Sequence, residues 1–215
     1  MQTIFITGIG TGIGKTLIAA IVTEALGATY WKPVQAGFDE GTDTGWVGER
    51  ISNPQGRLLP EVYKLAMPAS PHIAARDEGI VISLDKIAAQ FDAIRTSSPL
   101  VIEGAGGLFV PLNDRQFVLD LIRCLDATVL LVSRNYLGSI NHSLLTANAC
   151  RNHGLRVAGW IFNDQYMHYE AEIADWTGIP AIASLPFHDD LSAEYIRSRA
   201  DLIRAPLMQA LNAVR

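Results

Sequence analysis

The chain alternates short apolar runs with longer segments in which apolar residues recur at helical spacing. The short runs are rich in β-branched and aromatic residues, which favours strands. Residues 100–102 and 129–132 are apolar throughout, as expected of strands buried on both faces of a sheet. Strands are predicted at residues 3–7, 29–34, 99–103, 128–133, 157–163 and 181–185, with a weaker one at 62–65, and helices at 17–26, 84–94, 117–125, 140–152 and 169–177.

The alternation of strands and helices predicts an α/β fold. We expect a single domain over residues 1–215, in which a mostly parallel β-sheet of about seven strands is flanked by helices on both faces. Residues 37–48 and 67–79 are irregular, and we expect both to be functional loops. Ligands of such sheets bind beyond the carboxyl ends of the strands, so candidate chemistry is sought there.

Residues 8–16 read GIGTGIGKT, which is typical of a phosphate-binding loop of the Walker A type. The loop lies between a predicted strand and a predicted helix, as the motif requires, but it has one residue more between Gly8 and Gly14 than the standard spacing. Backbone N–H groups would hold phosphate oxygens, Lys15 would reach the β- and γ-phosphates, and Thr16 would face Mg²⁺. A P-loop NTPase domain is therefore predicted; a glycine-rich turn without a ligand is the alternative.

Charged residues at two further strand ends are candidates for the same chemistry. Glu103 ends an apolar strand before a glycine-rich turn, where a carboxylate would hold Mg²⁺ beside the phosphates or would simply be solvated. Asp39, Glu40 and Asp43 follow the second strand and are indistinguishable by spacing as metal ligands. Lys32 could neutralise phosphate or orient a carboxylate-like reactant, and a surface lysine is the alternative.

Two polar segments follow later strands. Asn163 carries an amide that could pair with the N6 and N7 edge of adenine or could cap the next turn. Asn141 opens a predicted helix whose N–H groups could hold a carboxylate. The chain lacks the N-K-x-D motif of guanine readers, and Gly10 stands where Min-type and nitrogenase-type ATPases carry an extra lysine. The missing N-K-x-D motif disfavours a GTPase. Without the extra lysine, one subunit cannot activate the site of another in the way those ATPases do.

Composition and charge limit the partners. The formal net charge of -5 argues against a nucleic-acid partner, because binding a phosphate backbone requires a clustered basic surface. No apolar run reaches about 18 residues and the first residues resemble no export signal, so we expect no membrane association and a cytoplasmic location. Cys124 and Cys150 lack CxxC spacing, and we expect both to be buried reduced thiols.

Seven motifs, taken together and in order, resemble the dethiobiotin synthetase family. That family's phosphate-binding loop has the same extra residue, and the resemblance runs from about residue 3 to residue 188. The motifs are TGIGTGIGKT at 7–16, KPVQAG at 32–37, TDTGWV at 42–47, SPHIAA at 70–75, EGAGGLFVPL at 103–112, LGSINHSLLT at 137–146 and GWIFND at 159–164.

The resemblance implies an ATP-dependent cyclo-ligase of biotin biosynthesis that uses ATP and Mg²⁺. In that family, 7,8-diaminononanoate captures CO₂ (from bicarbonate) as a carbamate. ATP phosphorylates the carbamate to a mixed anhydride, and the second amine closes the ring to give dethiobiotin, ADP and phosphate. The resemblance also implies a homodimer with the active site at the subunit interface, because the segment 136–141 comes from the neighbouring subunit.

The resemblance assigns roles to individual residues. The catalytic residues are Lys32, Lys15 and Thr11, and the Mg²⁺ ligands are Thr16, Asp43 and Glu103. The nucleotide-binding residues are Gly12, Ile13, Gly14, Lys15, Thr16, Leu17, Asp43, Glu103, Gly106, Asn163, Asp164 and Pro186. The substrate-binding residues are Lys32, Ala36, Leu137, Gly138, Ser139, Ile140 and Asn141.

Several positions depart from the family pattern. Ile9 and Gly10 replace a frequent Thr-Asp pair, Ala36 replaces a frequent serine, and Tyr136 stands where a lysine can occur. We expect these differences to change affinity more than reaction type. The SPHIAA motif is expected to form a rigid proline turn that walls the substrate groove. The alternatives are another amide-forming P-loop ligase, whose amidotransferase domain has no room here, and a P-loop switch or partitioning ATPase.

Overall fold

A seven-stranded sheet forms the centre of the molecule in a computed structural model that describes residues 2–214. The strands are β1 (Thr3–Gly8), β2 (Thr29–Trp31), β3 (Val34–Ala36), β4 (Leu58–Leu59), β5 (Tyr63–Leu65), β6 (Leu100–Glu103), β7 (Thr128–Arg134), β8 (Val157–Asn163) and β9 (Ala181–Leu185). The order in the sheet is β4-β2-β6-β1-β7-β8-β9, and every pair is parallel. Strands β3 and β5 form a separate parallel pair.

Helices cover both faces of this sheet. They are α1 (Lys15–Leu26), α2 (Asp43–Gly48), α3 (Pro71–Asp77), α4 (Leu84–Ala93), α5 (Val118–Cys124), α6 (Ser139–Asn152), α7 (Glu170–Thr177) and α8 (Ala193–Ala213). Ile4 and Ile6 of β1 are buried with residues of α1 and α8, whereas Phe5 between them is buried with residues of α4 to α7. Alternate residues of a strand are thus buried in two different hydrophobic cores, one on each face of the sheet, which confirms the predicted α/β fold.

One predicted strand is divided in two. The run 29–34 leaves the main sheet after β2, because Lys32 and Pro33 separate β2 from β3, and Val34 then pairs with Tyr63 of β5. The proline has no N–H for a sheet ladder, and its carbonyl instead accepts the N–H groups of Val62 and Tyr63 at 2.9 and 3.0 Å. The weaker strand at 62–65 therefore exists, but it belongs to the small sheet, and β4 takes the edge of the main one.

The two segments predicted to be irregular each contain a short helix. Helix α2 is capped by Thr42, whose hydroxyl accepts the N–H of Gly45 at 3.1 Å. Helix α3 has Pro71 in its first turn, so the expected proline turn is the start of a helix. Cys150 is buried as predicted, but Cys124 is exposed. Across residues 2–214, none of the helices has the length and apolar character needed to cross a membrane.

Candidate active site

The phosphate-binding loop connects β1 to α1 at the carboxyl edge of the sheet. Gly12 and Gly14 adopt positive φ angles of 71° and 88°, a conformation that residues with a Cβ rarely adopt. The side-chain amide of Asn163 donates to the carbonyl of Ile13 at 3.0 Å, and a Cβ on Gly14 would overlap that amide. Asn163 therefore holds the loop from the end of β8.

Lys15 is buried at the start of α1, and its ammonium donates to the carbonyl of Gly10 at 2.6 Å. Burial lowers the pKa of Lys15 to about 8, although the nearby carboxylate of Glu103 favours the charged form. The side chain folds back over its own loop, where it would meet phosphate oxygens bound by the loop N–H groups.

Glu103 ends β6 and is only 2% exposed. Its Oε1 accepts the hydroxyl of Thr16 at 2.8 Å and the ammonium of Lys32 at 2.9 Å. Its Oε2 accepts the hydroxyl of Tyr30 at 2.7 Å. Burial and the negative charge of Glu103 raise the pKa of Tyr30, so this phenol remains a donor. The buried carboxylate thus accepts from three side chains, of which Thr16 lies on α1, Tyr30 on β2 and Lys32 in the link after β2.

Lys32 joins the two carboxylates of the site. Its ammonium forms ion pairs with Glu103 and with Asp43 at the start of α2. Burial favours the neutral amine, but the carboxylates of Glu103 and Asp43 outweigh it and raise the pKa of Lys32. Gln35 fixes the backbone of Asp43, because its side-chain oxygen accepts the N–H of Asp43 at 3.2 Å.

The oxygen donors of the site suit a small hard cation. Thr16, Asp43 and Glu103 supply one hydroxyl and two carboxylates, and the ammonium of Lys32 already bridges those carboxylates as a shared cation. Among the residues that the structure describes, no group of three or more His, Cys, Asp or Glu side chains is arranged to hold a metal. Mg²⁺ is usually bound by one or two carboxylates together with nucleotide phosphates, so two carboxylates fit it.

A cleft of about 790 Å³ opens above this cluster. Lys32 and Glu103 lie at its floor, and the loop and residues of the segment before α3 form its walls. Its lining consists of Thr11, Gly12, Gly14, Lys15, Thr16, Lys32, Gln35, Ala36, Asp43, Pro68, Ala69, Ser70, Pro71, Glu103, Ala105, Gly106 and Val110. The structure therefore brings together both predicted lysines, the three predicted metal ligands, Thr11, Ala36 and Gly106.

A second cleft of about 810 Å³ lies on the other side of Thr11 and Gly12. Asp164 faces it and pairs with Arg134, Nη2 to Oδ2 at 3.3 Å. Its lining also includes Ile13, Asn135, Tyr136, Leu137, Gln165, Tyr166 and Phe187. Phe187, rather than its neighbour Pro186, lines this cleft. Leu17 lies on α1 against the core and borders neither cleft.

The start of α6 lies apart from Lys32 in the single chain. Leu137 is 91% exposed and lines the second cleft, whereas Gly138, Ser139, Ile140 and Asn141 border neither one. Ser139 is buried and shares a hydrogen bond of 2.7 Å with the hydroxyl of Tyr169. The predicted substrate-binding segment is therefore a fixed feature of the surface, separate from the lysine cleft of its own subunit.

Sequence reasoning assigned no role in the site to Tyr30, Gln35 or Arg134, whereas Phe187 lies in the segment 185–187 that was expected near the adenine. Tyr30 carried a usable signal, because side chains two positions apart on a strand lie on the same face and Lys32 was already a candidate. The positions of Arg134 and Phe187 depend on which strands are neighbours in the sheet. That order becomes visible only in the folded structure.

Comparison with known proteins identifies the family. A family model described as an AAA domain matches residues 2–195. The ATP-dependent dethiobiotin synthetase BioD of Cytophaga hutchinsonii is 49% identical over 163 residues, covering 76% of this chain and 77% of that protein. The enzyme of the same name from Brucella abortus is 42% identical over 192 residues, covering 89% of each chain.

Solved structures share the fold at low sequence identity. The MinD cell division protein of Aquifex aeolicus has a TM-score of 0.56 at 15% identity, covering 99% of this chain and 96% of that chain. A ParA family ATPase from Chlorobium tepidum has a TM-score of 0.58 at 13% identity, covering 98% and 97%. Because the identity to BioD proteins is much higher over most of both chains, this chain belongs to the family of ATP-dependent dethiobiotin synthetases.

Proposed function

We propose that the chain is an ATP-dependent dethiobiotin synthetase, which carboxylates 7,8-diaminononanoate with CO₂ and closes the ureido ring, releasing ADP and phosphate. The observation that carries the proposal is the position of Lys32. A phosphate-binding loop needs only Lys15, but a second buried ammonium lies in the same cleft, paired with Glu103 and Asp43. Such a cation suits a carbamate and the charge that develops on a transferred phosphoryl group.

Each residue of the cleft then has a defined task. Thr16, Asp43 and Glu103 would hold Mg²⁺, which would neutralise negative charge on the nucleotide phosphates. Lys15 holds the γ-phosphate and Lys32 holds the carbamate, so that a carbamate oxygen faces the phosphorus. Phosphoryl transfer gives the mixed anhydride, the second amine attacks its carbonyl carbon, and phosphate leaves with the bridging oxygen. Positioning supplies much of the rate in such a sequence.

The walls of the cleft suit an aliphatic diamine. Pro68, Ala69 and Val110 line it beside Ala36, and these residues offer apolar surface to a hydrocarbon chain. The nucleotide base would lie in the second cleft, where Asp164 and Arg134 line one wall and Phe187 lines another. Asn163 lines neither cleft and would contribute by holding the loop through the carbonyl of Ile13. As an enzyme that consumes ATP and bicarbonate, the protein would act in the cytoplasm.

We further propose a homodimer in which the start of α6 completes the partner's site. The proposal is supported by the exposure of Leu137 and by the lining of the lysine cleft, to which Asn141 and its neighbours contribute nothing in their own chain. N–H groups at this helix start would receive the carboxylate of the substrate. Mixing an inactive Lys32→Met chain with an inactive Leu137→Asp chain should restore activity, because one site of the hybrid is intact. No restoration after verified subunit exchange would contradict a shared site.

The function is tested by phosphate release from Mg·ATP with and without 7,8-diaminononanoate and bicarbonate. Release that requires both reactants and matches formation of a cyclic urea, measured by mass spectrometry, supports the synthetase. Lys32→Met should abolish this release, whereas Lys64→Met, which removes an exposed lysine outside both clefts, should not. Release that is indifferent to the diamine would instead favour a switch or partitioning ATPase.

A further inference from the structure

We infer that Tyr30 is a positioning residue for the reaction, which fixes the carboxylate of Glu103 so that Oε1 faces the metal and phosphate side of the site. The inference rests on the proposed role of Glu103 as a Mg²⁺ ligand. It concerns a residue of the core that makes no contact with either cleft, since Tyr30 lines neither of them.

The sheet register places the two side chains together. Tyr30 of β2 pairs with Val101 of β6, and Glu103 lies two residues further along β6. Alternate residues of a strand share a face, so Val101 and Glu103 lie on the same side, and both Tyr30 and Val101 are buried in the core that includes α1. Two residues of a strand span about 6.6 Å, and the tyrosine ring bridges that distance to place its hydroxyl 2.7 Å from Oε2.

The two oxygens of Glu103 have different partners. Oε1 is shared by Thr16 and Lys32, which line the cleft, whereas Oε2 is bound by Tyr30, which is fully buried. A glutamate carboxylate would otherwise rotate about its terminal bond and exchange the two oxygens. A neutral hydroxyl prevents this rotation without bringing a second positive charge that would compete with a metal ion for the carboxylate.

Loss of the hydroxyl has a specific consequence. Tyr30→Phe leaves Oε2 buried without a donor, so the carboxylate turns to share the remaining donors and Oε1 loses its fixed direction. Partners that orient a metal ligand typically contribute about 10- to 100-fold to metal affinity. We therefore expect Mn²⁺, used as a probe in the presence of ADP, to bind about 10- to 100-fold more weakly to Tyr30→Phe, measured by electron paramagnetic resonance.

The matched control is Tyr63→Phe. Tyr63 is also a buried tyrosine with a hydrogen-bonded hydroxyl, which accepts the N–H of Ser83 at 2.9 Å, but it lies outside the Glu103 cluster. Tyr63→Phe should leave Mn²⁺ affinity within about twofold of wild type, and ADP affinity without metal should be unchanged in both variants. An affinity of Tyr30→Phe for Mn²⁺ within the same twofold, or an equal loss in Tyr63→Phe, would overturn the inference.

Two further measurements keep the test decisive if Tyr30→Phe does not fold. With 4-aminophenylalanine at position 30, which retains a donor of similar reach, Mn²⁺ affinity should remain close to wild type. In wild-type protein with ¹³Cζ-labelled tyrosine, the Tyr30 resonance should shift when Mg²⁺ is added to the ADP complex. A resonance that does not respond to Mg²⁺ would overturn the inference.

The test of Tyr30 is separate from the test of the proposed function. Mn²⁺ binding does not require the diamine, so failure to form a cyclic urea would reject the proposed function and leave the Tyr30 result standing.

Discussion

Removal of the charge of Lys32 tests whether two carboxylates are built to share a cation. Lys32→Met keeps the length of the side chain and deletes the ammonium that pairs with Glu103 and Asp43. The side chain of Asp43 is 31% exposed, so water can solvate it, whereas Glu103 is 2% exposed and keeps only Thr16 and Tyr30 as donors. Loss of the ammonium therefore destabilises mainly the buried carboxylate of Glu103.

The magnitude follows from the burial of this carboxylate. Removing one partner of a buried ion pair destabilises a protein by about 3–5 kcal/mol, and the two remaining donors place this case near about 3 kcal/mol. In a domain of this size each kcal/mol lowers the Tm by about 2–4 °C, so we expect a decrease of about 6–12 °C without divalent metal. A cation at about 100 times its Kd returns about 2.7 kcal/mol to the variant, and the deficit narrows by the amount by which this gain exceeds that of wild type.

The assay is thermal unfolding of wild type, Lys32→Met and Lys64→Met, in EDTA and in Mg²⁺ with ADP. Mg²⁺ should stabilise Lys32→Met more than wild type, because no ammonium then competes for the carboxylates. Lys64→Met should behave as wild type under both conditions. The reasoning is refuted if Lys32→Met is as stable as wild type in EDTA, or if its deficit is the same with Mg²⁺.

Three further predictions concern the loop and the metal ligands. Gly14→Ala should weaken ATP binding and lower stability by about 2–3 kcal/mol, because the positive φ contributes about 1–2 kcal/mol and displacing Asn163 loses a hydrogen bond of about 1 kcal/mol. Because Gly14→Ala already displaces the Asn163 amide, adding Asn163→Ala should cost little further stability in urea unfolding, and a further loss as large as that of Asn163→Ala alone would contradict this origin. The pKa of Lys15 is about 8 and phosphate favours the ammonium, so ADP affinity should be constant below that pH and fall above it. Calorimetry in buffers of different ionisation enthalpy should detect proton uptake on ADP binding only at a pH above the pKa of Lys15. Uptake at a lower pH would contradict the assignment of this pKa to Lys15. Glu103→Ala should weaken Mg·ATP binding measured by titration calorimetry, and unchanged binding would remove Glu103 from the site.

The sequence predicts much of the fold because the strands β1, β7 and β8 are long and β6 is apolar up to its terminal Glu103, and the carboxyl ends of these strands share one edge of the sheet. It does not predict the break at Lys32 and Pro33, because these two residues interrupt the apolar run without indicating that Val34 joins a different sheet. Helix α2 is too short for periodicity to identify. Helix α8 was not among the predicted helices, although its buried residues recur at helical spacing from Tyr195 to Leu211, because Pro206 is a residue that a helix interior rarely contains.

The candidate site was predictable where a residue ends a strand. Lys32 and Glu103 met that condition, whereas Asp43 could not be separated from Asp39 and Glu40 by spacing. The structure distinguishes Asp43 because Thr42 caps α2 and the N–H of Asp43 bonds to Gln35, which turns this carboxylate toward Lys32. The contact of Tyr30 with Glu103 depends on the pairing of β2 with β6, which local sequence does not specify.

The most direct test of the proposed synthetase reaction traces ¹⁸O from bicarbonate into the released phosphate. The protein is supplied with ATP, 7,8-diaminononanoate and ¹⁸O-labelled bicarbonate, and the reaction is quenched before bicarbonate exchanges oxygen with water. If a carbamate oxygen attacks the γ-phosphate, the released phosphate carries one ¹⁸O in step with cyclic urea formation. Phosphate without ¹⁸O, released whether or not the diamine is present, would mean that water attacks ATP and would contradict a synthetase.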